Sequence, residues 1–167
     1  MRTQLITGSL AVVATSALIG LGAAPAHAAT TTETERGHLV ECTGTIHGKD
    51  VYASVYENET YGNVFQLVVG EKGTSREAAK PFLDGSDVRA VLTLAGKKAV
   101  VKGTADRVGK KLPVHEEMDD AGQHITVDGF HKRLATDLTL RWGSRTVPLD
   151  CDNAFRYVLE VTKTDIE

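Results

Sequence analysis

A chain of 167 residues with 19 basic and 22 acidic side chains, a net charge of −3 and two cysteines has room for one domain with a real core. The acidic balance excludes a general nucleic-acid binder, which needs a clustered basic surface to release counterions. Cys42 and Cys151 stand far apart and lack the paired spacing of a zinc finger, so a structural zinc site is excluded as well.

Taken in order, Met1 to Ala28 has the parts of a secretory signal: Arg2, an apolar run from Leu5 to Leu21, and Ala26-His27-Ala28 before a cut. The small residues at the cleavage distance, and the Ala, Gly and Ser that dilute the run, favour this over an uncleaved anchor. The expected mature protein therefore starts near Ala29 and is released outside the cell. Residues 29–37 are rich in Thr and Glu without apolar period, which predicts a flexible leader, and 38–167 form a single β domain. In an exported chain the two cysteines are expected as a disulfide.

Leu39 to Asn58 reads as a hairpin with Gly48-Lys49 as its two-residue turn, facing Val40, Cys42, Gly44, Ile46, Val51, Ala53 and Val55 inward. Glu59 to Asn63 reads as a turn into a strand with Phe65, Leu67 and Val69. Residues 70–85, broken by Gly73, Pro81 and Gly85, predict a long connection with a short helix over 75–80. A second Gly-first hairpin with Gly96-Lys97 as its turn puts Ala90, Leu92, Leu94, Ala99 and Val101 on one face. The polar stretch 106–123 predicts a loop, and Asp128-Gly129 a hairpin turn in which His124, Thr126, His131 and Arg133 share a face. A third hairpin with Gly143-Ser144 as its turn pairs Trp142 with Arg145, Leu140 with Val147 and Leu138 with Leu149, which turns Cys151 inward. Phe155 to Val161 is the last strand. Eight or nine short strands joined mainly as hairpins predict an all-β antiparallel sandwich or small barrel. Both cysteines point inward when each hairpin's register is set by its own turn, which predicts one buried Cys42–Cys151 bridge.

No chemistry-bearing constellation is complete. His115, Glu116, Glu117, Asp119 and Asp120 offer hard oxygen ligands but lack the ordered alternation and Gly placement of a calcium loop. His124 and His131 lack a third ligand. Ser54, Ser75, Ser86 and Ser144 stand in no nucleophile elbow, and Glu41 with Asp50 has no visible sugar cleft. No metal, cofactor or catalytic residue is expected. Tyr52 and Tyr56, on the outward face of the first hairpin, and nearby Tyr61 make a candidate recognition patch.

The export signal, the run from Glu41-Cys42-Thr43-Gly44 through Asp50-Val51-Tyr52-Ala53 to Gly62-Asn63-Val64-Phe65-Gln66, and Pro148-Leu149-Asp150-Cys151 resemble a group of small secreted proteins of high-GC Gram-positive bacteria. The resemblance covers most of the mature chain and implies a secreted β-rich domain with a bridge. It transfers no catalytic residue, since no activity is assigned to that group. The expected function is a secreted, non-enzymatic binding or interaction module for a cell-wall polymer or an extracellular protein. The alternative expectation is a secreted hydrolase or hydrolase inhibitor acting through a loop.

Overall fold

The computed structural model describes residues 29–166, so the expected signal over 1–28 lies outside the described residues. Nine strands follow one another: β1 (Thr30–Ile46), β2 (Lys49–Asn58), β3 (Gly62–Val69), β4 (Lys72–Ala78), β5 (Leu83–Asp84), β6 (Asp87–Leu94), β7 (Lys97–Asp120), β8 (Gln123–Trp142) and β9 (Arg145–Asp165). They form one antiparallel sheet in the order β4-β3-β2-β1-β9-β8-β7-β6-β5. Every pairing but one joins neighbours in sequence; the exception, β1 with β9, brings the two ends of the chain together in the middle of the sheet. The sheet curls into a half-barrel until β4 approaches β6, where the Arg76 guanidinium donates to the Val91 carbonyl at 2.7 Å. Phe82, between β4 and β5, fills this seam and meets Phe65 edge-on at 6.2 Å.

The core is the inner face of this curl. Val40, Ile46, Phe65, Leu67, Leu138 and Leu140 are fully buried there. Cys42 and Cys151 are bridged on the same face with their Cα atoms 3.9 Å apart, so the expected pairing is present, joining β1 to β9.

Two of the three expected turns are displaced by one residue. The first lies at His47-Gly48 and the second at Ala95-Gly96, both positions of each having positive φ, the type I′ geometry that matches strand twist. Glycine occupies the second position of each turn, and His47 or Ala95 takes the left-handed conformation at the first. Ile46 consequently faces Lys49 and Leu94 faces Lys97, a two-residue change in pairing that leaves every side chain on its expected face. The third turn stands at Gly143-Ser144, with Trp142 opposite Arg145 and Leu138 opposite Leu149.

Three stretches differ from expectation. The leader residues 30–37 belong to β1 and pair with β9 from Thr30↔Thr164 to Gly37↔Tyr157, because pairing with a long partner strand satisfies backbone groups without any apolar period in the side chains. The connection 70–85 contains no helix; it holds β4, paired with β3, and the short β5. The stretch 106–123 is strand β7 rather than a loop, and the hairpin turn is at Ala121-Gly122 (φ 51° and 80°) instead of Asp128-Gly129. Gly129 lies inside β8 with φ 156°, where a Cβ would come within 2.2 Å of the Val158 carbonyl oxygen. Its glycine serves a close strand approach, not a turn.

Candidate functional site

β1, β7, β8 and β9 are longer than their neighbours and run past the half-barrel as a four-stranded extension. Along β1 the inner face reads Ile46, Gly44, Cys42 and Val40 in the core, then His38 and Arg36, then Thr34, Thr32 and Thr30. The change from apolar to cationic happens in one step, and it happens on all four strands together. His38 is opposite Arg156, Arg156 opposite Lys132, and Lys132 opposite Lys111. Directly opposed residues share a face, so these side chains stand in one row across the sheet at the rim of the core. At an inter-strand spacing of about 4.8 Å the row runs roughly 15 Å.

Arg36 stands one step out from His38 on the same face. Among the described residues none of Arg36, Lys111, Lys132 and Arg156 is ion-paired with a carboxylate. Lys111 instead lies over the Phe130 ring, its Nζ 3.9 Å from the centroid, a cation–π contact that leaves the charge available. Beyond the row the face carries Val158, Phe130 and Pro113, then Glu160, Asp128 and His115, and near the end of β1 and β9 it is hydroxylated: Thr32 and Thr162 meet at 3.1 Å and Thr30 and Thr164 at 3.2 Å.

The His38 end of the row opens into a cleft of about 390 Å³ lined by Arg36, His38, Glu57, Asn63, Leu83 and Arg156. Glu57 is buried here with both oxygens engaged. One accepts the Leu83 amide at 2.7 Å and also that of Phe82, and the other meets His38 Nδ1 at 3.0 Å. Its carboxylate anchors the segment that fills the seam and fixes the His38 ring. The arrangement can hold an anion against several cations through charge-assisted hydrogen bonds.

The expected site residues fall elsewhere. Tyr52 and Tyr56 lie on the outer face and Tyr61 on the turn before β3, with hydroxyls bound within the chain. Tyr52 donates to Glu41 at 2.6 Å, Tyr56 accepts from Asn58 at 3.0 Å, and Tyr61 donates to Glu33 at 3.1 Å. The Glu41 carboxylate raises the pKa of Tyr52 above the usual phenol range, and Glu33 does the same for Tyr61. Tyr157, absent from the expected set, is pushed well up by burial and then by the Tyr56 hydroxyl. It donates to the Glu57 carbonyl and accepts from Asn58, each at 3.0 Å.

Because 115–120 is a strand, His115, Glu117 and Asp119 face one way and Glu116 and Asp120 the other, so the acidic side chains do not converge. The expected shared face of His124 and His131 is also absent. His124 Nδ1 meets Asp119 at 2.7 Å on the inner face, while His131 stacks on Phe155 at 5.3 Å on the outer. Among the described residues no three His, Cys, Asp or Glu side chains gather as a metal site.

Sequence reading missed the basic row because its members come one from each strand, at positions 38, 111, 132 and 156, and only the register sets them side by side. No protein-family model matches the chain, and no curated protein or solved structure matches it.

Proposed function

We propose that the chain is a secreted, non-enzymatic binding module that holds a polyanionic polymer of the cell surface across the rim row. Arg36, Arg156 and Lys132 supply the charge, the His38 ring stands among them, and Lys111 stands at the end of the row. The observation that carries this reading is the row itself: cations from four strands, adjacent on one face, with the arginines and lysines free of acidic partners among the described residues. An array of like charges costs stability through self-repulsion, and an anion laid along it removes that cost. The threonine pairs farther out on the same face, Thr32 with Thr162 and Thr30 with Thr164, suit a polymer that carries alcohol groups as well as charge. Support for export comes from the signal pattern over 1–28 and from the Cys42–Cys151 bridge, which needs an oxidising compartment.

The test is retention of the mature protein on protein-free Gram-positive wall material, with soluble polyphosphate as competitor. Lys132→Glu combined with Arg156→Glu should abolish retention while the melting temperature holds. Rising salt should weaken the wild type through screening. Undiminished retention of the double variant, or equal competition by a neutral polysaccharide, overturns the reading.

A further inference from the structure

β7 pairs with β6 only from Lys97 to Thr104. Beyond that its outer edge has no neighbouring strand among the described residues, and residues 111–120 present an open row of backbone groups. The turn at Ala121-Gly122 closes on Asp120 opposite Gln123. In a two-residue hairpin that closing pair is hydrogen-bonded, so the alternation of an antiparallel ladder commits Asp120, Met118, Glu116, Val114 and Leu112 to β8. Lys111, Pro113, His115, Glu117 and Asp119 therefore direct their backbone groups outward. Pro113, which has no N–H, falls in the outward set, where a proline is tolerated; this agrees independently with the assignment.

An open edge is a hazard that charge and proline usually blunt. The charge here is arranged in a particular way. Reading from Lys110 to Asp120, Lys110 and Lys111 stand on one side of His115, and Glu116, Glu117, Asp119 and Asp120 on the other. Blunting alone needs charge of either sign anywhere along the edge. Opposite signs at the two ends repel a parallel copy and attract an inverted one.

We propose that the β7 edge pairs antiparallel with the β7 edge of a second copy of this chain, about a two-fold axis through His115. In that register Lys111 faces Asp119 of the second copy, Lys110 faces Asp120, and Leu112 faces Met118. Leu112 and Met118 are 50% and 45% exposed, and both lie on the outer face of β7, so the pairing buries them against each other twice over. Each outward N–H from His115, Glu117, Lys111 and Asp119 finds a carbonyl, and Pro113 removes one donor per copy. Moving the axis to Val114 sets Leu112 against Glu116; moving it to Glu116 sets that carboxylate against itself. The contact is isologous and closes as a dimer. It joins the two extensions into one continuous sheet and leaves His38, Arg156 and Lys132 open on each copy.

Sedimentation velocity of the mature protein, over concentrations up to roughly 1 mM, tests this directly. The expected result is a monomer–dimer equilibrium that weakens with salt. Lys110→Glu with Lys111→Glu makes both ends acidic, and Asp119→Lys with Asp120→Lys makes both ends basic. Each variant alone should dimerise about a hundredfold more weakly, since attractive cross-strand pairs become repulsive ones. A mixture of the two should form a heterodimer, and the fourfold exchange in one chain should restore self-association. The inference is overturned by a wild type that stays monomeric throughout the range. It is equally overturned by a dimer that survives the two charge-reversed variants, or by reversed variants that do not associate when mixed.

Discussion

The half-barrel and the extension share four strands, yet they bury opposite faces. In the half-barrel β1, β8 and β9 bury Val40, Leu138 and Ala154 inward, against a core closed by the bridge and by Phe82. In the extension the inner face is cationic at the rim and then mixed, with Phe130 and Val158 followed by carboxylates, imidazoles and threonines, while the buried apolar side chains are on the outer face, where Tyr157 and Val161 are 6% and 9% exposed. Irregularities in register lie at or near this change, between Arg107 and Lys111, between Arg133 and Leu138, and between Glu41 and Thr43. The lesson is that amphipathicity need not be constant along a strand. A long strand can bury one face where the sheet curls on itself and the other face where it runs free, and the boundary is where a polar inner row can reach a ligand.

The comparison can be broken most severely in the half-barrel. Replacing Cys42 and Cys151 together with Ala opens a loop of 109 residues and should lower stability by roughly 2–5 kcal/mol. Urea unfolding of the two proteins reads this directly, and an unchanged midpoint would mean that β1–β9 pairing holds the half-barrel without the bridge. In the extension Gly129→Ala forces a Cβ to within 2.2 Å of the Val158 carbonyl oxygen at φ 156°, which should cost about 1–3 kcal/mol. Hydrogen exchange should place the lost protection at 123–132 and 156–165, with the half-barrel strands unaffected. If protection falls uniformly, the two regions unfold as one unit and the distinction between them is only geometric.

Tyr157→Phe probes the buried outer face. It removes the donor to the Glu57 carbonyl but leaves Asn58 its bonds to Glu35 and Tyr56, so a loss of about 1 kcal/mol is expected. A neutral result by chemical denaturation would show that the apolar ring alone holds this face. The smallest effect is at the exposed inner face. The Asp128 carboxylate, 2.7 Å from His115 Nδ1, raises the imidazole above its usual range, with a lesser push from Glu117. Because the folded value lies above the unfolded one of about 6.5, the stabilisation from this pair is complete below that pH. It is lost as pH rises through the folded value. Asp128→Asn should move the His115 titration midpoint, followed by NMR, down toward the ordinary value; a midpoint that does not move would remove Asp128 as the cause.

Much of the half-barrel was legible because its signals are local. Alternation in β2, β3 and β6 and glycine at three hairpin turns determined the inward set even where a turn was placed one residue off, since the resulting two-residue change in pairing preserves faces. Cys42 and Cys151 followed from those faces. The extension was not legible. Its polar inner face made Thr30–Gly37 read as a leader and 106–123 as a loop, and the switch of apolar side between Val127 and Phe130 imitated a turn at Asp128-Gly129.

By itself, then, the sequence determined the all-β class, the antiparallel hairpins, the inward faces of the half-barrel and the pairing of its two cysteines, all set by the two-residue period and by turn chemistry between neighbours in the chain. Only the tertiary structure decided that β1 pairs with β9, that the polar ends are strands, and that His38, Lys111, Lys132 and Arg156 share one row. Those depend on hydrogen-bond register between strands, across more than a hundred residues for β1 with β9 and across long polar hairpins for β7, β8 and β9, and a polar residue whose backbone is satisfied by a partner strand looks, in its own stretch of sequence, like one satisfied by water.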